Sequence, residues 1–143
     1  MRRLIPGILL VALVSGAAGC DDNTPTTPTT PNTPNIPGAS TTETFTGTLN
    51  KNGGVTYPFT AASGGTITLG LTSVAPDATL PIGMSLGTWT GSACVIVIAS
   101  DAATQGTVVT GTVTAAASLC ARVYDAAGNV PASENFTVTI VHP

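Results

Sequence analysis

Charged side chains are scarce in this sequence: they make up 8% of its 143 residues, and only four are lysine or arginine. A run of phosphates needs a matching run of cations, so this scatter of basic residues excludes nucleic-acid binding. The same shortage excludes electrostatic attachment to anionic lipid. Histidine occurs once, as His142 beside the C-terminus, so a serine–histidine–acid set would depend on a chain end. Aromatic residues are 4% of the chain, fewer than a broad sugar-stacking platform needs. The three cysteines, Cys20, Cys94 and Cys120, show no Cys-x-x-Cys spacing and no histidine nearby, which argues against a thiolate metal centre.

The N-terminus has a clear design. Met1-Arg2-Arg3 is a short positive tip, and Leu4–Val14 is apolar apart from Pro6 and Gly7. Such a run falls short of the roughly 20 apolar residues that span a bilayer. With the small residues Ala17, Ala18 and Gly19 behind it, it reads as a secretory signal peptide over residues 1–19. Cys20 follows directly, and Ala17-Ala18-Gly19-Cys20 resembles the lipobox of bacterial lipoproteins, with Ala17 where Leu is usual. That resemblance implies a diacylglycerol on the Cys20 sulfur, and hence a membrane partner on the exported side of the cell envelope. The alternative is an ordinary signal peptide cut near Ala18 or Gly19, with Cys20 left as a thiol. Asp21-Asp22 is similar to the inner-membrane retention signal of enterobacterial lipoproteins and also suits the start of a solvated linker, so either membrane fits. Cleavage before Cys20 removes Arg2 and Arg3, leaving two cations against seven carboxylates, a net charge of −5.

Residues 20–40 form a threonine- and proline-rich linker. Pro25, Pro28, Pro31, Pro34 and Pro37 recur every third residue, the period of the polyproline II helix. At about 3.1 Å per residue, Asp21–Pro37 reaches roughly 50 Å as such a stalk.

From residue 41 to 143 the pattern changes to period two. Phe45, Gly47 and Leu49 alternate with Thr44, Thr46 and Thr48; Val55, Tyr57 and Phe59 follow, then Ile67, Leu69 and Leu71. Asn50–Gly54 and Ser63-Gly64-Gly65 read as turns, and Pro58 marks an edge or bulged strand. Leu80, Ile82, Met84 and Leu86 continue the alternation. Cys94–Ala99 is apolar on both faces and is expected to be buried on both. Val109–Val113, Leu119–Tyr124 and Phe136–Val141 complete about eight strands. The expectation is an all-β antiparallel sandwich; a small barrel gives similar patterning.

Gly47-Thr48-Leu49, Tyr57-Pro58-Phe59, Gly65–Leu69, Asp77–Leu80, Arg122-Val123-Tyr124 and Phe136–Ile140 resemble the strands of bacterial pre-peptidase C-terminal domains. The resemblance covers roughly residues 42–142 and implies a jelly-roll-like sandwich with an accessory or binding role beside exported enzymes. The acidic pair often found before the aromatic strand is Val55-Thr56 here, which weakens any metal-binding carry-over.

With Cys20 assigned to lipid, Cys94 and Cys120 are expected to form a disulfide, as suits an exported protein. Cys120 shares a strand face with Arg122, which puts the bond near a sheet margin or facing outward. Asp77, Asp101, Asp125 and Glu134 fall in predicted loops and are candidate calcium ligands, but no calcium-loop spacing joins them. Turn formation is the plainer role for these acids. Trp89, within Gly87-Thr88-Trp89-Thr90-Gly91, is the candidate contact for a protein or glycan partner. Covering one end of the sandwich is its simpler role. No catalytic residue, metal or cofactor is expected. The function expected is a non-enzymatic envelope lipoprotein presenting an interaction module; the alternatives are an accessory subunit of an exported hydrolase and a structural spacer.

Overall fold

A computed structural model describes residues 38–143; the signal segment, Cys20 and the prolines from Pro25 to Pro37 lie outside the described residues. Eight strands make up the described chain: β1 Thr41–Asn50, β2 Gly54–Ala61, β3 Gly65–Ala75, β4 Ile82–Trp89, β5 Cys94–Ala103, β6 Val108–Val113, β7 Ala117–Tyr124 and β8 Ser133–His142. They form two antiparallel four-stranded sheets, ordered β1-β8-β3-β6 and β2-β7-β4-β5. Only the β4–β5 hairpin stays within one sheet, and every other connection passes to the opposite one. This is the winding of an eight-stranded jelly roll, so the expected all-β sandwich is the fold.

Alternation in sequence becomes alternation in burial. Ile67, Leu69 and Leu71 of β3, Phe136, Val138 and Ile140 of β8, Leu119, Ala121 and Val123 of β7 and Ile82, Met84 and Leu86 of β4 meet in one core. The intervening threonines of β1 and β6, such as Thr46, Thr48, Thr110 and Thr112, face solvent. Both layers are needed, because the inner face of each sheet is covered by the other.

The β1–β2 connection turns at Asn50–Gly53, where the Gly53 amide donates to the Asn50 carbonyl at 2.8 Å and Asn52 takes a left-handed φ of 56°. β2 is an edge strand, as Pro58 suggested. Where β1 lies against β2, the Phe45 and Tyr57 rings stack at 4.7 Å, and Phe136 meets Tyr57 edge-on at 6.2 Å. The Tyr57 hydroxyl donates to the Thr46 carbonyl at 3.0 Å. These contacts close that margin of the sandwich from within.

β5 corrects the expectation for Cys94–Ala99. This apolar stretch lies on the edge of its sheet, and Val95, Ile96, Val97, Ile98 and Ala99 are exposed rather than buried on two faces. An apolar run reports that both faces avoid charge, and an uncovered edge strand has the same composition as a central one. Two register shifts, at Ile82/Met84 and Leu86/Gly87, interrupt the pairing of β5 with β4. Asp101 and Glu134, expected in loops, lie within β5 and β8.

Candidate functional site

The outer face of the β2-β7-β4-β5 sheet carries the residues with chemistry to offer. Met84 and Leu86 point into the core, so strict alternation along β4 places Gly83, Ser85, Gly87 and Trp89 on the outside. On β7 the same rule puts Ser118, Cys120, Arg122 and Tyr124 outside. Register then sets large beside small: Gly83 opposes Tyr124, Ser85 opposes Arg122, and Gly87 opposes Cys120.

Each pair has a consequence. The Tyr124 ring lies over Gly83 so closely that a Cβ there would collide with it. From that position the Tyr124 hydroxyl donates to the Asp101 carboxylate on β5. Burial first, and then the bond to Asp101 and its charge, push the Tyr124 phenol up to about 12, so it remains a neutral donor. The Arg122 guanidinium sits 5.2 Å from the centre of the same ring, a cation–π arrangement. Ser85 is fully buried between neighbouring strands, and its hydroxyl finds no hydrogen-bond partner among the described residues. Among the described residues no base lies within hydrogen-bond reach of that hydroxyl.

At Gly87 the backbone of β5 crosses over β4: a side chain there would collide with the Val95 carbonyl oxygen. This close approach brings Cys94 of β5 to Cys120 of β7, with Cα atoms 5.8 Å apart, and the two are joined by a disulfide. The bond lies on the outward face, as the position of Cys120 beside Arg122 implied, yet Cys120 is fully buried beneath it. Next to the staple is the β4–β5 turn, where Gly91 adopts a φ of 96° that favours glycine. Here the Thr90 amide and hydroxyl donate to the Ala93 carbonyl, at 3.0 and 3.1 Å, and the Ala93 amide donates back to the Thr90 hydroxyl at 3.1 Å. Trp89, expected on a loop, is the last residue of β4 and half-buried. Disulfide and turn together hold it on a stiff hairpin.

The acids serve structure. Asp77 accepts from the Thr79 amide at 2.9 Å and the Thr79 hydroxyl at 2.7 Å, which lower its pKa. Burial raises the Asp125 carboxyl, but amides from Asn52, Asn129 and Val130 outweigh it and leave the group below its usual range. Glu134, buried at the core end of β8, accepts from the Asp77 amide at 3.3 Å. Among the described residues, no three His, Cys, Asp or Glu side chains are grouped to hold a metal ion. His142 ends β8, buried, with Nε2 3.0 Å from a Glu43 carboxylate oxygen and its ring tilted against Phe59 at 5.2 Å.

Thus Trp89, Arg122 and Tyr124 share one face with Ser85, and Asp101 joins them through Tyr124. Sequence reading singled out Trp89 and Asp101 but missed Arg122, Tyr124 and Ser85 as a group. The available signal was the i, i+2 spacing in Arg122-Val123-Tyr124 and Gly83-Met84-Ser85, which puts such pairs on one side of a strand. The Arg122 guanidinium and the Trp89 indole suit hydrogen bonding and stacking. No protein-family model matches the chain, and no curated protein is significantly similar to it.

Proposed function

We propose that this chain is a non-enzymatic lipoprotein of the bacterial envelope that presents a β-sandwich interaction module on an extended stalk. The observation that carries the reading is the Cys94–Cys120 disulfide. Structural disulfides persist in exported proteins and are rare in the cytosol, which supports the reading of residues 1–19 as a secretory signal. The bond also accounts for two of the three cysteines, leaving Cys20 for lipid. Each buried methylene of an acyl chain adds about 0.8 kcal/mol, so two or three chains on Cys20 hold the protein at the membrane. Proline at every third position from Pro25 to Pro37 supports a stiff spacer between anchor and module.

The module meets a protein or glycan partner through the outer face of β4 and β7. Trp89 stacks on the partner, and the Arg122 guanidinium supplies hydrogen-bond donors. The likeness to pre-peptidase C-terminal domains favours the same accessory, non-catalytic role. The test has two arms. Cys20→Ser moves the protein from the membrane fraction to the soluble fraction of the envelope; unchanged partitioning rejects the anchor. A photo-reactive residue placed beside Trp89, at Thr88, cross-links a partner in intact cells. Trp89→Ala and Arg122→Ala each reduce capture by roughly tenfold or more, as central aromatic and arginine contacts do. Undiminished capture by both variants rejects this face.

A further inference from the structure

The two margins of the sandwich are finished differently. β6 lies against β5 on the margin opposite β1 and β2. There the sheets part around an apolar cleft of about 120 Å³, reaching Phe59, Ile67, Leu86, Ile98, Val113 and Leu119. Val97 and Ile98 of β5 line it, and along that strand Val95 is 54%, Ile96 43%, Val97 71% and Ile98 37% exposed, which makes four consecutive aliphatic residues open to solvent. Val108, at the start of β6 on this margin, is the remaining large aliphatic residue exposed in the described chain.

The two edge strands contribute different things. β5 brings apolar side chains, but its two register shifts spoil it as a template for strand pairing. β6 pairs with β3 over six residues without a shift, and carries neither charge nor proline to blunt its free edge. The margin therefore offers a regular ladder from one sheet and an aliphatic strip from the other.

We propose that a second copy of this chain docks on the β5/β6 margin. Across a two-fold axis, β6 pairs antiparallel with β6 of the other copy, and Val95–Ile98 packs against the same residues. A strand edge of this kind is self-complementary under two-fold symmetry. Face matching requires the axis to pass at a residue, so that outward residues oppose outward residues, and centring the six-residue strand puts it at Thr110 or Gly111. Cys94–Ser100 and Val108–Val113 are uncharged, so apposing them brings no like charges together. The nearest acid, Asp101, is already engaged by Tyr124.

Other occupants satisfy less of the margin. A lipid surface covers the aliphatic strip but leaves the ladder's N–H and C=O groups unpaired in an apolar medium. An acyl chain fills the cleft and leaves the strip in water. The chain's own linker has proline at every third residue, which removes the donors a ladder needs. β6 has six residues and β5 ten, so at about 3.3 Å per residue the margin runs roughly 20 to 33 Å and, on a sandwich roughly 20 Å thick with its outer side chains, offers about 400 to 600 Å² per copy. Doubled, that reaches the lower end of stable interfaces.

The full chain in detergent is sized by light scattering after gel filtration. The expected mass is that of two chains, and Val97→Lys is expected to give one chain with unchanged circular dichroism. Separately, Thr110→Cys is expected to give a reducible double-mass band in intact cells, while Thr44→Cys, exposed on the opposite margin, gives none. A single-chain mass at tens of micromolar for the wild type, or a persistent double mass for Val97→Lys, overturns the proposal. So does a Thr110→Cys band containing another protein in place of a second copy.

Discussion

The β1/β2 margin and the β5/β6 margin belong to the same two sheets, and one is closed from within while the other is open. On the closed side three aromatic rings and one hydroxyl bridge the layers. On the open side the layers carry aliphatic residues and glycine, which are too small to reach across, and a cleft remains. A jelly roll thus fixes which strands are edges, and the side chains on those edges decide which edge stays available. Covalent chemistry compensates on the open side, where the Cys94–Cys120 bond ties the start of β5 back to β7.

This contrast can be broken at several points. Phe136→Ala removes the ring that joins the closed margin to the core, and is expected to cost about 3–5 kcal/mol in urea unfolding. A loss below 1 kcal/mol would show that the aromatic cluster does not hold that margin. Replacing Cys94 and Cys120 together by alanine releases a 26-residue separation and is expected to cost about 3.5 kcal/mol in the chain-entropy picture. Thermal melting of this variant should drop sharply, and melting at the wild-type temperature would mean that β5 is held by packing alone. Gly87→Ala puts a methyl group where the Val95 carbonyl sits, and is expected to cost about 1–3 kcal/mol through local backbone shifts. The same substitution in the variant lacking Cys94 and Cys120 should cost less, because β5 can then move away.

Smaller effects sharpen the comparison. Tyr57→Phe deletes one hydrogen bond across the closed margin and should cost about 1 kcal/mol by denaturant titration. Val97→Lys on the open margin should change the stability of the single chain by under about 0.5 kcal/mol, since the side chain already faces solvent. A larger loss there would mean that Val97 belongs to the core.

Much of the fold is legible from alternation, because an inward threonine or an outward leucine is costly on a sheet with one wet face. β1, β3, β4 and β8 therefore announce themselves, and Pro58 marks β2 as an edge through its missing N–H. The pairing of Cys94 with Cys120 is legible once residues 1–19 are read as a secretory signal and Cys20 is set aside for lipid. What alternation cannot carry is which strands neighbour each other. Cys94–Ala99 reads as central because its composition is apolar, and only strand order reveals that no strand pairs with its far edge. The face shared by Ser85, Arg122 and Tyr124 is hidden for the same reason: β4 and β7 are far apart in sequence, and their register is a tertiary fact. Trp89 was visible as a rare residue, but its place at a stapled strand end was not.

Amide hydrogen exchange of the full chain, followed at low and at high protein concentration, compares the two margins in one experiment. Amides of β6 and of Val95–Ile98 should exchange more slowly as concentration rises, while those of β1 and β2 keep one rate throughout. Concentration-independent exchange on both margins, or slowing at β1 and β2 instead, would contradict the assignment of the open edge to a second copy.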